Sequence, residues 1–168
     1  MSKAVLISIK PKWCELIASG KKTIEVRKNH PKIDTPFKCY IYQTKVHLPG
    51  YIAFGGIPAD VGGKIMGEFI CDDIMRLDID SHGVTDGRGK YLTEKSSGLC
   101  LSREDIFNYS GIMRPYGWHI SNLKMYDKPK ELSIFHKPVL PLGLRYEDDV
   151  IKRPPQSWCY VEALKDGD

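Results

Sequence analysis

The sequence has 168 residues, of which 42% are hydrophobic and 27% are charged. This length and balance fit one globular domain and exclude an intrinsically disordered chain, a collagen-like repeat and a coiled coil. Residues 1–50 carry ten Lys and Arg against three Asp and Glu, a net +7, whereas the rest carries a net −3. A basic surface on the first third would attract phosphate groups, as in nucleic-acid-binding proteins, although a solvated lysine-rich face would give the same count.

Composition also bears on location and on metal binding. Apolar runs such as Ala4–Ile9 are far below the ~20 residues that a membrane-spanning helix needs, and no secretory signal is recognisable. The five cysteines and five histidines are scattered, without the spacing of a disulfide framework or a zinc site. We therefore expect a soluble cytoplasmic protein with reduced thiols, no metal, no cofactor and no membrane partner.

The chain begins with a predicted strand and a predicted helix. Ala4–Lys10 has the alternation of a largely buried strand. Pro11 suits the first position of a helix and Gly20 suits its end, so we expect a helix between them. Its core face should hold side chains at i, i+3 and i+4 spacing, namely Trp13, Leu16 and Ile17.

A second strand follows at Lys22–Lys28. Ile24 and Val26 point to one face, and the opposite face carries Thr23, Glu25 and Arg27. A third strand is predicted at 37–44, where one face is internal (Phe37, Cys39, Ile41) and the other external (Lys38, Tyr40, Tyr42, Thr44).

Later segments predict further strands and one more helix. A strand is expected at Lys64–Cys71, extending towards Leu77. Residues 81–101 hold four glycines among polar side chains and predict a loop or insertion.

Ser102 to Asp105 resembles a capping box before a short helix. The apolar set changes face within the strand Tyr116–Tyr126, which predicts a bulge or bend, and a last strand is expected at Trp158–Val161.

These elements predict an α+β domain: a small, partly closed, mixed β-barrel with flanking short helices. Residues 1–168 would form a single domain, with 81–101 as a loop insertion and 134–168 as a C-terminal extension.

The segment most informative about function is Gly20–Arg27. Glu25 and Arg27 lie two residues apart on one face of a strand, about 7 Å from each other, close enough to pair or to hold one ligand. Lys22 opens this strand, and Lys10 is expected to converge with it after the helix. A solvated charged strand face, with an ion pair contributing ~0–1 kcal/mol, is the alternative from spacing alone.

The pattern G-x-K-x-x-E-x-R resembles the ASCH domain family, which has a PUA-like fold. In this sequence it comprises Gly20, Lys22, Glu25 and Arg27, just after the helical residues Trp13–Ile17. A second resemblance is Tyr116–Ser121, which is similar to the late strand of such domains. Together these features span about Ala4 to Leu132.

The resemblance implies a binding module for RNA or a modified nucleotide, with a cleft beside a β-barrel. Lys22, Glu25 and Arg27 would line this cleft, and Gly20 would allow close backbone approach. Single-stranded RNA also needs aromatic faces for stacking. The candidates are Tyr40, Tyr42 and Trp118, for the last of which a core position is the alternative.

Two other functions remain open. One branch of the family is similar to amidohydrolases that remove an acyl group from acetylated cytidine with a Lys–Thr–Glu set; their lysine matches Lys22, but Glu25 stands where they have threonine. This departure counts against a hydroxyl nucleophile. Lys22 and Glu25 could still serve as general acid and base in a small hydrolase acting on a nucleoside or RNA. A charged strand face that contacts another protein is the other possibility.

Overall fold

The structure is a computed structural model. It describes residues 2–53, 57–94, 97–140, 143–144 and 148–165, with the backbone alone for 47–53 and 57–61. The strands of the described chain are β1 (Lys3–Ile9), β2 (Ile24–Arg27), β3 (Phe37–Gln43), β4 (Val46–Ala53), β5 (Ile57–Val61), β6 (Lys64–Arg76), β7 (Asp78–Ile79), β8 (Val84–Thr85), β9 (Tyr91–Leu92), β10 (Tyr116–Lys130) and β11 (Trp158–Glu162). The helices are α1 (Pro11–Ala18), α2 (Arg103–Ser110) and a single 3-10 turn (Leu132–Ile134).

The predicted α+β class is confirmed. One mixed sheet has the strand order β11-β1-β3-β6-β10-β2, and smaller sheets pair β4 with β5 and join β7, β8 and β9. No helix in the described residues is long and apolar enough to cross a membrane. The chain forms two compact units, each assembled from separate segments: unit 1 from residues 1–14, 39–68 and 124–168, and unit 2 from residues 15–38 and 69–123.

Unit 1 is built around β1. This strand pairs antiparallel with β11 and parallel with β3, and residues 4–9 are buried on both of its faces. The core of this unit holds Leu6, Tyr40, Ile65, Phe135 and Val161.

The side chains of β3 correct one prediction. Tyr40 and Tyr42 were expected on an external face, but both are buried. The reason is that residues after Leu132 cover this face: the Phe135 ring lies 4.7 Å from the Tyr40 ring, and the Tyr40 hydroxyl accepts a hydrogen bond of 2.8 Å from the backbone N–H of Leu164.

Unit 2 contains β2, paired antiparallel with the first half of β10, and the helix α2. Ser102 caps α2 as predicted: its hydroxyl accepts from the N–H of Asp105, whose carboxylate accepts from the N–H of Ser102. The core of this unit holds Ile24, Val26, Leu77, Val84, Leu99 and Ile106.

Two further predictions about elements can be compared with the structure. The change of apolar face in β10 occurs at Asn122, whose φ of 47° marks a local break in the extended backbone. Residues 81–101 are mostly loop where described, but they also form the two-residue strands β8 and β9, and Leu99 is fully buried. The strands β4 and β5 fall in a segment for which the sequence predicted no element.

Candidate functional site

The turn after α1 places Lys22 at the start of the site. Gly20 has a φ of +73°, a backbone conformation that residues other than glycine rarely adopt. The chain reverses there, and the Lys22 N–H donates to the carbonyl of Leu16 at 2.9 Å. A Cβ at Gly20 would meet no atom within 4 Å, so backbone conformation is the role of this glycine that the structure supports.

A second segment, Gly98–Cys100, lies against the same stretch of chain. The carbonyl of Gly98 accepts from the N–H groups of Thr23, at 2.8 Å, and Ile24, at 3.1 Å. The contact is so close that a Cβ on Gly98 would lie 1.9 Å from the Thr23 hydroxyl. The Cys100 thiol donates to the Lys21 carbonyl at 3.3 Å. This segment therefore brings the carbonyl of Leu99 to the Lys22 side chain.

Lys22, Glu25 and Arg27 meet in one place, which we call the charged cluster. The Glu25 carboxylate lies between the two cations: one oxygen is 2.6 Å from Arg27 Nη1, and the other is 3.7 Å from Lys22 Nζ. Lys22 Nζ also donates to the Leu99 carbonyl at 2.8 Å. The exposed fractions of the three side chains are 1%, 4% and 11% in sequence order. The alternative of a solvated charged face is wrong, because these charges are buried.

Burial sets the electrostatics of the charged cluster. Removal of Lys22 from water lowers its pKa, and the nearby Glu25 carboxylate offsets part of this effect by favouring the charged amine. The Arg27 guanidinium lowers the pKa of Lys22 further, because a second cation disfavours protonation of the amine. With Lys22 protonated the cluster carries one net positive charge, and Arg27 has its least buried side chain.

The strand pairing fixes what stands beside these charges. In the register of β2 and β10, Glu25 is opposite Trp118 and Arg27 is opposite Tyr116. Trp118 is fully buried, with its ring edge-to-face to Phe37 at 6.0 Å. It is therefore a buried cross-strand neighbour of Glu25, and its ring has no face open to a base.

The sequence of the chain matches the ASCH domain over residues 7–129. The chain belongs to the ASCH domain family. The matched range includes the whole Gly20–Arg27 motif, which supplies the charged cluster, and the first half of β10, which pairs with β2. No curated protein matches the sequence.

Solved ASCH structures share the fold of this chain. A crystal structure of ASCH from Zymomonas mobilis has 18% sequence identity and a TM-score of 0.59, covering 95% of this chain and 87% of that one. A Tyr-to-Phe variant of the same protein gives 18% identity and a TM-score of 0.60, covering 96% and 91%. A Ser-to-Ala variant gives 16% identity and a TM-score of 0.59, covering 95% and 88%. The likeness covers nearly the whole chain and is consistent with the PUA-like fold.

The other residues predicted for the ASCH site lie in various environments. Lys10 is exposed in unit 1, directly before α1, and its carbonyl accepts from the N–H groups at the start of that helix. Tyr40 and Tyr42 are buried in the core of unit 1, so neither ring has a face available for stacking.

Sequence reasoning missed the contribution of residues 98–100. A backbone carbonyl leaves no trace in residue type, so Leu99 could not be recognised as a partner of Lys22. Gly98 was visible as one of the glycines of a polar segment, but nothing local shows that it packs on Thr23. No group of three or more metal-ligating side chains occurs in the described part of the chain.

Proposed function

We propose that this ASCH domain binds RNA or a modified nucleotide through the charged cluster, with Arg27 as the group that contacts the ligand. The family is generally regarded as RNA-binding, and it is the family to which this chain belongs. The observation that carries the proposal is the Arg27–Glu25 contact of 2.6 Å, made by an arginine whose side chain keeps 11% of its surface in solvent.

The chemistry of an arginine held in this way suits a nucleotide. A guanidinium presents five N–H donors in a planar fork and can bond a phosphate or a guanine edge in bidentate fashion. Glu25 uses part of that fork and fixes its orientation before the ligand arrives. Lys22, almost fully buried, acts through Glu25 and the Leu99 carbonyl and is therefore a positioning residue in this proposal.

The test is RNA binding measured by fluorescence anisotropy with a labelled single-stranded oligonucleotide at low salt. Arg27→Ala should weaken binding by about 1–3 kcal/mol and reduce the salt dependence by about one phosphate contact. Arg153→Ala removes an equal charge from an exposed position in unit 1 and serves as the matched control. Equal losses for the two variants, or no binding by the wild type, would refute the proposal.

A small hydrolase acting on a nucleoside or RNA is the second candidate function. Two observations favour it. The lowered pKa of Lys22 increases the fraction of neutral amine, which can accept a proton. The carboxylate of Glu25 lies 3.7 Å from that amine. Incubation with acylated nucleosides and short RNAs, followed by chromatography, tests this candidate. Turnover that Glu25→Gln abolishes while binding survives would establish catalysis; no turnover over the panel would reject it.

The proposal also covers domain organisation and location. Residues 1–168 form one ASCH/PUA-like domain in it, with 81–101 as an insertion and 134–168 as an extension, and the protein acts in the cytoplasm. Lys10 is exposed in unit 1 and has no part in this proposal, which concerns unit 2.

A further inference from the structure

A second group of side chains begins directly beside Arg27. Tyr116 is the residue opposite Arg27 in the antiparallel pairing of β2 and β10. Side chains of directly opposite residues leave the sheet on the same face, with their Cβ atoms about 5 Å apart. Tyr116 and Arg27 therefore leave the sheet on the same face of unit 2.

Two further residues of unit 2 surround the Tyr116 ring. The imidazole of His30 lies 4.5 Å from it, centroid to centroid, at an interplanar angle of 61°. The guanidinium carbon of Arg76 lies 5.5 Å from the ring centroid, and Arg76 Nη1 donates to the Tyr116 hydroxyl at 3.3 Å. His30 Nδ1 is also within 2.9 Å of the Pro31 carbonyl. We call His30, Arg76 and Tyr116 the aromatic platform.

The aromatic platform is accessible to solvent. His30 and Arg76 are exposed and Tyr116 is half-buried. Among the described residues, no carboxylate lies within ion-pair distance of Arg76. Arg27, in contrast, shares its charge with Glu25. Planar rings and a guanidinium with an available charge are the groups on which proteins stack unpaired bases.

We propose that His30, Arg76 and Tyr116 bind an unpaired base of single-stranded RNA, next to a phosphate held at Arg27. This inference rests on the proposed function and adds the class of ligand. A base in a duplex is already stacked between its neighbours and cannot reach a protein ring, so the aromatic platform selects single strands. Because Tyr116 is opposite Arg27 in the sheet, the aromatic platform and Arg27 lie on the same face of unit 2, within reach of one RNA strand.

The test separates stacking from charge. Two labelled oligomers are compared: ten uridines, and ten abasic ribose phosphates of equal charge. The wild type should bind the uridine oligomer about tenfold more tightly, since stacking on aromatic side chains has an effect of this order. His30→Ala should reduce the ratio of the two affinities most of the way to one. Arg76→Lys, which leaves the charge unchanged, should do the same. His30→Phe should retain it, because it keeps a ring.

Controls and contrary outcomes are distinct for the two proposals. Arg88→Lys makes the same exchange at another exposed arginine of unit 2 and should leave the ratio unchanged. Arg27→Ala should weaken both oligomers equally. Three outcomes would overturn the aromatic platform alone. They are equal binding of both oligomers by the wild type, a ratio of the two affinities that His30→Ala and Arg76→Lys leave unchanged, and equally tight binding of an RNA duplex. Failure to bind either oligomer would overturn the proposed function and the aromatic platform together.

Discussion

Replacement of Glu25 with Gln is the most direct perturbation of the charged cluster. The amide has nearly the shape of the carboxylate but no charge, so Lys22 and Arg27 lose the anion that lies between them. We expect Glu25→Gln to lower the free energy of unfolding by about 3 kcal/mol at neutral pH.

The magnitude follows from the distances. At an effective dielectric constant of about 20, charges separated by 2.6 Å and 3.7 Å attract by about 6 and about 4.5 kcal/mol. Much of this attraction offsets the desolvation of the three groups, and removal of one partner of a buried pair costs about 3–5 kcal/mol. The lower end applies here, because Lys22, whose pKa burial already lowers, can release its proton.

Urea unfolding followed by tryptophan fluorescence measures this loss. Glu131→Gln is the matched control: that side chain is 64% exposed and pairs with Lys64, so its loss should be about 0.5 kcal/mol or less. If Glu25→Gln prevents folding, the double variant with Lys22→Met should recover stability, since only one cation then remains in the cluster. A loss for Glu25→Gln no larger than that for Glu131→Gln would refute the reasoning.

Two further predictions concern the same site. Burial lowers the pKa of Lys22 in the folded protein below its ordinary value of 10.5, so between these two pKa values the unfolded chain binds more protons than the folded one. The cost of burying the lysine therefore falls as pH rises towards 10.5. In urea titrations, the free energy of unfolding of Lys22→Met should exceed that of the wild type most near pH 7 and least near pH 10; an excess that does not change with pH would contradict a buried charge. Gly98→Ala should cost about 2 kcal/mol or more, because it combines a φ of +74° with a Cβ placed 1.9 Å from the Thr23 hydroxyl. Gly89→Ala, at a φ of +87° with no atom within 4 Å, should cost only the backbone strain of about 1 kcal/mol; equal losses in equilibrium unfolding would show that the contact with Thr23 has no effect.

Local patterns predicted the elements whose causes are local. Alternation identified β1, β2 and β10, and the shift of apolar phase in β10 located the break at Asn122 to within a few residues. The capping residues of α2 are neighbours in sequence, so the start of that helix was readable. Tyr40 was misplaced because its burial depends on Phe135 and Leu164, about a hundred residues later.

The same distinction applies to the site. The spacing of Lys22, Glu25 and Arg27 predicted that their side chains could converge, and the structure brings them within contact distance. Spacing could not predict their burial, which depends on the return of residues 98–100 to the start of β2. It also gave no indication that Tyr116 stands opposite Arg27, because register between distant strands is set by the tertiary fold.

Burial of the charged cluster has a physical meaning that differs from stabilisation. Apolar residues of similar volume often replace a buried ion pair with no loss of stability, so three desolvated charges are a poor means of holding β2 in place. They are an effective means of fixing an arginine. A free arginine side chain carries about 2 kcal/mol of rotamer entropy, which a ligand would have to offset on binding. The contact of Arg27 with Glu25, and the hydrogen bond from Lys22 to the Leu99 carbonyl, remove much of that freedom during folding, before any ligand binds.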